Sequence, residues 1–211
     1  MKTALIAGAS GLTGSSLLKL ILESEIYDQV KILVRKPLDK EHPALEQIIY
    51  DYEKPKPEWL RADHVYCCLG TTIKKAGSKE AFRRVDHDYP LELARSAHHN
   101  GTTKFALVSA VGANSRSMFF YNRVKGQLEQ DIRTIPFEAL YIMQPSMLLG
   151  PRKERRLGEE LGKTLMKPLS FLLPANMKPV QASRVAAAMV EHMNGAGTGV
   201  HVIPSGKIRR A

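Results

Sequence analysis

Cysteine is nearly missing from this chain, which carries only the adjacent pair Cys67 and Cys68. Neighbours on a strand point to opposite faces, so a bridge between them would be strained, and no third thiol offers a partner. A disulfide framework is excluded. Free thiols fit a reducing, cytoplasmic setting, and the two are read as small core residues rather than redox groups. Long apolar runs are missing as well, and none reaches the length of a membrane span. The apolar start, residues 1–7, stops at Gly8 with no cleavage region behind it, so no signal peptide is expected. Internal repeats, low-complexity tracts and linkers are absent. His98 and His99 lack the helical or carboxylate context of a metal site, and no metal is expected.

What is present is enough apolar residue, 44% over 211 positions, for one domain with its own core. The formal charge of +10 favours anionic partners: nucleic acid, a membrane surface or phosphorylated small molecules. Apart from a cluster from Arg152 to Arg156, the basic residues are scattered, which suits a solvated surface around a site for an anionic cofactor. Short apolar runs alternate with amphipathic segments. This predicts βαβ units and a doubly wound, Rossmann-type parallel sheet over residues 1–211.

Strands are expected at residues 3–7, 30–34, 47–50, 64–69, 104–109, 137–143 and 200–203. Helices are expected from Gly11, from Gly77 to His99 with a kink or split at Pro90, from 117 to 133, and from 183 to 193. The irregular, basic stretch at residues 151–179 is expected to cover the sheet and roof the substrate side.

Gly8-Ala9-Ser10-Gly11-Leu12-Thr13-Gly14 follows the first strand and opens the first helix. Glycines at this spacing allow a tight turn and close approach of a pyrophosphate, and the helix start offers unpaired N–H groups and a positive dipole end. Gly8, Ser10, Gly11, Leu12, Thr13 and Gly14 are therefore candidate phosphate ligands. The second strand ends in Arg35 and Lys36, where a carboxylate would select NADH. Two cations there favour the 2′-phosphate of NADPH, unless both are merely surface charges.

Tyr-x-x-x-Lys sets a phenol and an ammonium one turn apart on a helix, and such a cation lowers a phenol's pKa from about 10. The pattern occurs four times, at Tyr27/Lys31, Tyr50/Lys54, Tyr52/Lys56 and Tyr121/Lys125. Only the last lies within an expected helix, after a strand that ends in Ser109 at the carboxyl edge, where doubly wound sheets bind their ligands.

The turn from Gly8 to Gly14, Ser109, and Tyr121-Asn122-Arg123-Val124-Lys125 together resemble the short-chain dehydrogenase/reductase superfamily, including the twelve-residue offset from Ser109 to Tyr121. Cys67-Cys68-Leu69-Gly70-Thr71-Thr72, Ala76-Gly77, Val85-Asp86, Asp88-Tyr89 and Phe120 to Gly126 resemble its Tat-interactive oxidoreductase group and that group's bacterial relatives. The resemblance runs to about Gly150 and implies roles. Tyr121 would be the general acid or base, Ser109 would bond the substrate oxygen, and Lys125 would bind the nicotinamide ribose. Asp51 would lie near the adenine, Leu69, Gly70 and Thr71 along the cofactor, and Pro145 and Ser146 beside the nicotinamide. Gln144 departs from the group, many of whose members carry an arginine there.

Two functions follow. One is NADPH-dependent reduction of a small-molecule carbonyl. The other is an NADPH-responsive regulator acting through a protein partner, since a fold does not fix a function. Nucleic-acid binding lacks a recognition helix or aromatic-basic interleaving and is not expected.

Overall fold

In a computed structural model, which describes residues 1–150 and 176–209, the apolar runs assemble into one sheet. Its strands are β1 (Thr3–Ala7), β2 (Gln29–Val34), β3 (Leu45–Ile49), β4 (His64–Cys67), β5 (Lys104–Val108), β6 (Ala139–Gln144) and β9 (Gly199–Pro204). They lie in the order β3-β2-β1-β4-β5-β6-β9, each pair parallel. Parallel strands are covered on both faces, so the inner ones are apolar throughout rather than alternating. β1, β4, β5 and β6 are almost wholly buried, whereas the edge strand β3 is not. The order reverses between β1 and β4, and the carboxyl ends there open the crevice used by doubly wound folds.

One face of the sheet is covered by α1 (Leu12–Glu23) and α6 (Ala182–Asn194), whose Leu17, Leu18, Ile21, Val185 and Met189 pack with Ile6 and Ile32. The other is covered by α4 (Tyr89–His99) and α5 (Phe120–Ile132), with Leu93, Ala97, Leu128 and Ile132 over Leu5, Val65 and Leu107. Short helices α2 (Ile73–Ala76) and α3 (Lys79–Arg83) lead towards α4, and α7 (Ser205–Ile208) follows β9.

The segment expected as a helix kinked or split at Pro90 is split. After α3 the backbone makes a π-helical turn, Arg84–Asp88, before α4 begins. Pro90 has no N–H for the carbonyl four residues back, and its ring crowds that carbonyl; the wider turn accommodates both.

Two expectations shift. β3 begins two residues earlier than its apolar run suggested, and α5 starts at Phe120 rather than 117. The strand expected near residues 200–203 is β9, which extends the sheet in parallel beside β6. A two-residue ladder of β7 (Leu148–Leu149) with β8 (Val180–Gln181) ties this region back to the end of β6. Most of the expected cover, residues 151–175, lies outside the described residues.

Candidate active site

The glycine turn packs more tightly than any side chain would permit. Gly8 has φ +84°, and a Cβ there would lie 2.6 Å from the Cys68 carbonyl oxygen. A Cβ on Gly14 would lie 2.1 Å from the Gly8 oxygen. The Gly11 N–H closes the turn on the Gly8 carbonyl at 3.0 Å. α1 then begins with no side-chain cap and no acidic residue in its first turn, so its leading N–H groups face the crevice unneutralised. Thr13 is buried, and its hydroxyl is one of two buried side-chain atoms among the described residues without a hydrogen-bond partner. A cradle closed to side chains, an uncapped helix start and an orphaned hydroxyl all fit a pyrophosphate. Ser10 is exposed at the rim, and Leu12 packs beside Gly150.

The rest of the crevice is lined by strand ends. Arg35 and Lys36 are exposed after β2. Asp51 is exposed after β3, its carboxylate accepting from the Glu53 N–H at 3.0 Å. Beside it, the buried Tyr52 hydroxyl is the second orphan, its ring stacked on Tyr89. Leu69 and Thr71 are half-buried after β4, with Gly70 exposed between them. Pro145 is buried, and its carbonyl accepts from the Val111 N–H at 2.9 Å. The Ser146 hydroxyl donates to the Lys178 carbonyl at 2.5 Å and accepts from Ser205 at 3.0 Å.

α5 brings the chemistry to this edge. Tyr121 is 37% exposed near its start, against the ring of Phe82. One turn on, the Lys125 ammonium is sealed inside, 2.9 Å from an Asp86 carboxylate oxygen. Burial alone would lower the pKa of Lys125, but the Asp86 carboxylate and then the Tyr121 phenol outweigh it and raise it above its usual value. The other Asp86 oxygen accepts from the Thr71 N–H at 2.8 Å. A Cβ on Gly70 would lie 3.3 Å from Asp86 and 3.9 Å from the Lys125 ammonium. The loop after β4, the π-helical turn and α5 therefore meet at one buried ion pair.

Ser109 is buried at the end of β5, and its hydroxyl donates to Glu129 at 2.5 Å. Its hydrogen therefore points to Glu129 on α5. Asp86 and Glu129 were given no role by the sequence reading. Glu129 had a signal, because Tyr121, Lys125 and Glu129 recur every four residues along one helix stripe. Asp86 had a weaker one, as part of the Val85-Asp86 pair in the resemblance, which carried no role.

The other tyrosine–lysine spacings do not form pairs at this edge. The Tyr27 hydroxyl bonds His64 and Tyr66, and Lys31 donates to the Arg61 carbonyl. Tyr50 accepts from the Lys56 N–H. Cys67 is a fully buried core residue whose thiol burial pushes up to about 11, and burial raises Cys68 as well. His98 packs edge-on against Phe137.

A sheet ordered 3-2-1-4-5-6, a glycine turn at its first strand and a Tyr-x-x-x-Lys helix after its fifth define a Rossmann-type protein of the short-chain dehydrogenase/reductase kind. No protein-family model matches the chain. Protein HTATIP2 of Rattus norvegicus is 36% identical over 204 residues, covering 94% of this chain and 84% of that one. Protein FMP52, mitochondrial, of Eremothecium gossypii is 34% identical over 157 residues, covering 74% and 70%. The Bordetella bronchiseptica enzyme WbmH in complex with NAD+ superposes with a TM-score of 0.69 at 16% identity, over 98% of this chain and 76% of its own. The chain belongs to the HTATIP2/FMP52 family, an NAD(P)-binding branch of that superfamily. One expectation is overturned. Several relatives are named mitochondrial, which conflicts with a purely cytoplasmic location; reduced cysteines describe a redox state, not one compartment.

Proposed function

We propose that the chain is an NADPH-dependent oxidoreductase that reduces a carbonyl of a small molecule, with Tyr121 as general acid. The observation that carries this reading is the buried Lys125–Asp86 pair, one helical turn from the exposed Tyr121 and beside Gly70 at the carboxyl edge of the sheet. A sealed ammonium held by one carboxylate is costly unless it serves something, and sites that transfer protons are where such groups gather.

The cofactor's diphosphate would lie on Gly8, Ser10, Gly11, Leu12, Thr13 and Gly14. Arg35 and Lys36 would take the 2′-phosphate, which favours NADPH over NADH, and Asp51 would sit by the adenine. Leu69, Gly70 and Thr71 would line the middle, with Pro145 and Ser146 by the nicotinamide. When bound, that ring supplies the hydride taken by the carbonyl carbon. Tyr121 gives its phenolic proton to the carbonyl oxygen and, being exposed, regains one from solvent. Lys125 offsets the negative charge that donation leaves on Tyr121 and would hold the nicotinamide ribose.

A second reading has one observation behind it. The Ser109 hydrogen is engaged by Glu129, so it is not free for a substrate oxygen, and a weakly turning-over NADPH sensor with a protein partner would tolerate that. Calorimetry with NADPH and NADH, followed by NADPH consumption across a broad carbonyl panel, separates the two. The reductase reading expects tighter NADPH binding and turnover. It further expects Tyr121→Phe to lower kcat by about 100-fold or more while the NADPH affinity stays. Binding with no consumption by the wild-type chain transfers the case to the sensor.

A further inference from the structure

Glu129 is a carboxylate that the reaction above leaves unused, yet it is only 5% exposed and fully engaged. Every group around it is a donor. The Ser109 hydroxyl donates to one oxygen at 2.5 Å, and the Gln144 amide donates to both at 2.9 and 3.0 Å. The half-exposed Arg133 guanidinium stands 4.0 Å away. Such a shell matches an ionised, acceptor-only carboxylate. A serine hydroxyl has one hydrogen, and here Glu129 takes it. What Ser109 can still offer a ligand is its lone pairs. Glu129 also stands two turns after Tyr121 on the same helix, so it ties the Ser109 oxygen to the element that carries the acid.

We infer that Glu129 is a positioning residue that fixes Ser109 as a hydrogen-bond acceptor, and that the site accordingly prefers hydroxycarbonyl compounds. The inference rests on the reductase reading. Tyr121 protonates the carbonyl oxygen while the hydroxyl beside that carbonyl donates to Ser109 Oγ. A plain ketone has no hydrogen to give, and it leaves the Ser109 lone pairs unmatched in a buried corner.

The test uses the full chain, NADPH and two matched pairs: hydroxyacetone against acetone, and benzoin against deoxybenzoin. The hydroxyl-bearing member of each pair is expected to have a kcat/KM higher by about tenfold or more. Ser109→Ala removes the acceptor, and Glu129→Gln offers fewer acceptor sites to the same donors. Each is expected to bring the ratio within about twofold of unity while calorimetric NADPH affinity stays within about twofold. A purely structural role would lower both members alike and leave the ratio. If Glu129→Gln fails to fold by circular dichroism, Ser109→Ala alone decides. A wild-type chain that reduces these compounds without preference, or a preference that survives Ser109→Ala, overturns the inference and leaves the reductase reading standing. A chain that binds NADPH but reduces none of these compounds, nor any of a wider carbonyl panel, removes the reading and the inference together.

Discussion

Asp86 and Lys125 are each almost sealed from water, so neither can lose its partner cheaply. Asp86→Asn keeps the size of the side chain but removes its charge, leaving a buried ammonium without a counter-ion and an amide facing the Thr71 N–H. Breaking a buried pair from one side destabilises by about 3–5 kcal/mol. Urea denaturation of the variant is expected to show a loss of that order, together with weaker NADPH binding. A loss under about 1 kcal/mol would mean that the pair does not bear on stability as its burial implies. At this scale the sequence was legible where one helix sets the spacing. Tyr121 and Lys125 are four apart, and their relation needs only the pitch of a helix. Asp86 meets Lys125 across two elements, through a π-helical turn that no residue count predicts. Likewise, Ser109 was readable as a strand end, but the direction of its hydroxyl depends on Glu129, twenty residues away on a packed helix.

Among elements, α5 and the loop before it behave as one piece. A Cβ on Gly126 would lie 2.2 Å from both the Asn114 carbonyl carbon and the Ser115 nitrogen, so the loop rests directly on the helix backbone. The Asn114 N–H donates to the Asn122 carbonyl at 3.0 Å, and Arg123 donates to the Ser117 carbonyl at 2.8 Å. Neither contact partner can yield, because both are backbone. Gly126→Ala is therefore expected to lift the loop, lowering stability by about 1–3 kcal/mol. Reductase turnover should fall with it, since Tyr121 sits on the displaced helix. Thermal denaturation and the kcat of the variant check this, and an unchanged melting temperature would show the loop to be free of the helix. The loop's late entry into helix, at Phe120 rather than residue 117, has the same origin: these backbone contacts hold residues 114–119 out of helical geometry.

For the whole molecule, the parallel sheet was legible in the sequence, because parallel strands covered on both faces read as unbroken apolar segments; their order in the sheet was not. The last strand, expected at residues 200–203, is β9, although its half-exposed edge positions give a weaker apolar signal than the inner strands. At the opposite end from the site, a buried polar network links the connection between α1 and β2 with β4 and α6. The Tyr27 hydroxyl bonds His64 Nδ1 at 2.7 Å and the Tyr66 hydroxyl at 2.6 Å, with Asn194 donating to Tyr27 at 3.4 Å. Burial first, then the charges of Lys2 and Lys104, push the His64 pKa down to about 4 against a partial opposing pull from Asp63. A histidine held neutral in the fold gains a proton more readily when unfolded, near pH 6.5. Its contribution is thus complete above about pH 6.5 and is lost as the pH falls through about 4. Linkage puts the loss between pH 7.5 and pH 5 at about 2 kcal/mol, in a window above most carboxylate titrations. Urea denaturation across that window should show the decline in the wild-type chain, and His64→Gln, which does not titrate, should flatten it. An equal slope in both proteins would place the acid sensitivity elsewhere, and the neutral imidazole would then be no part of what holds the amino edge of the sheet together.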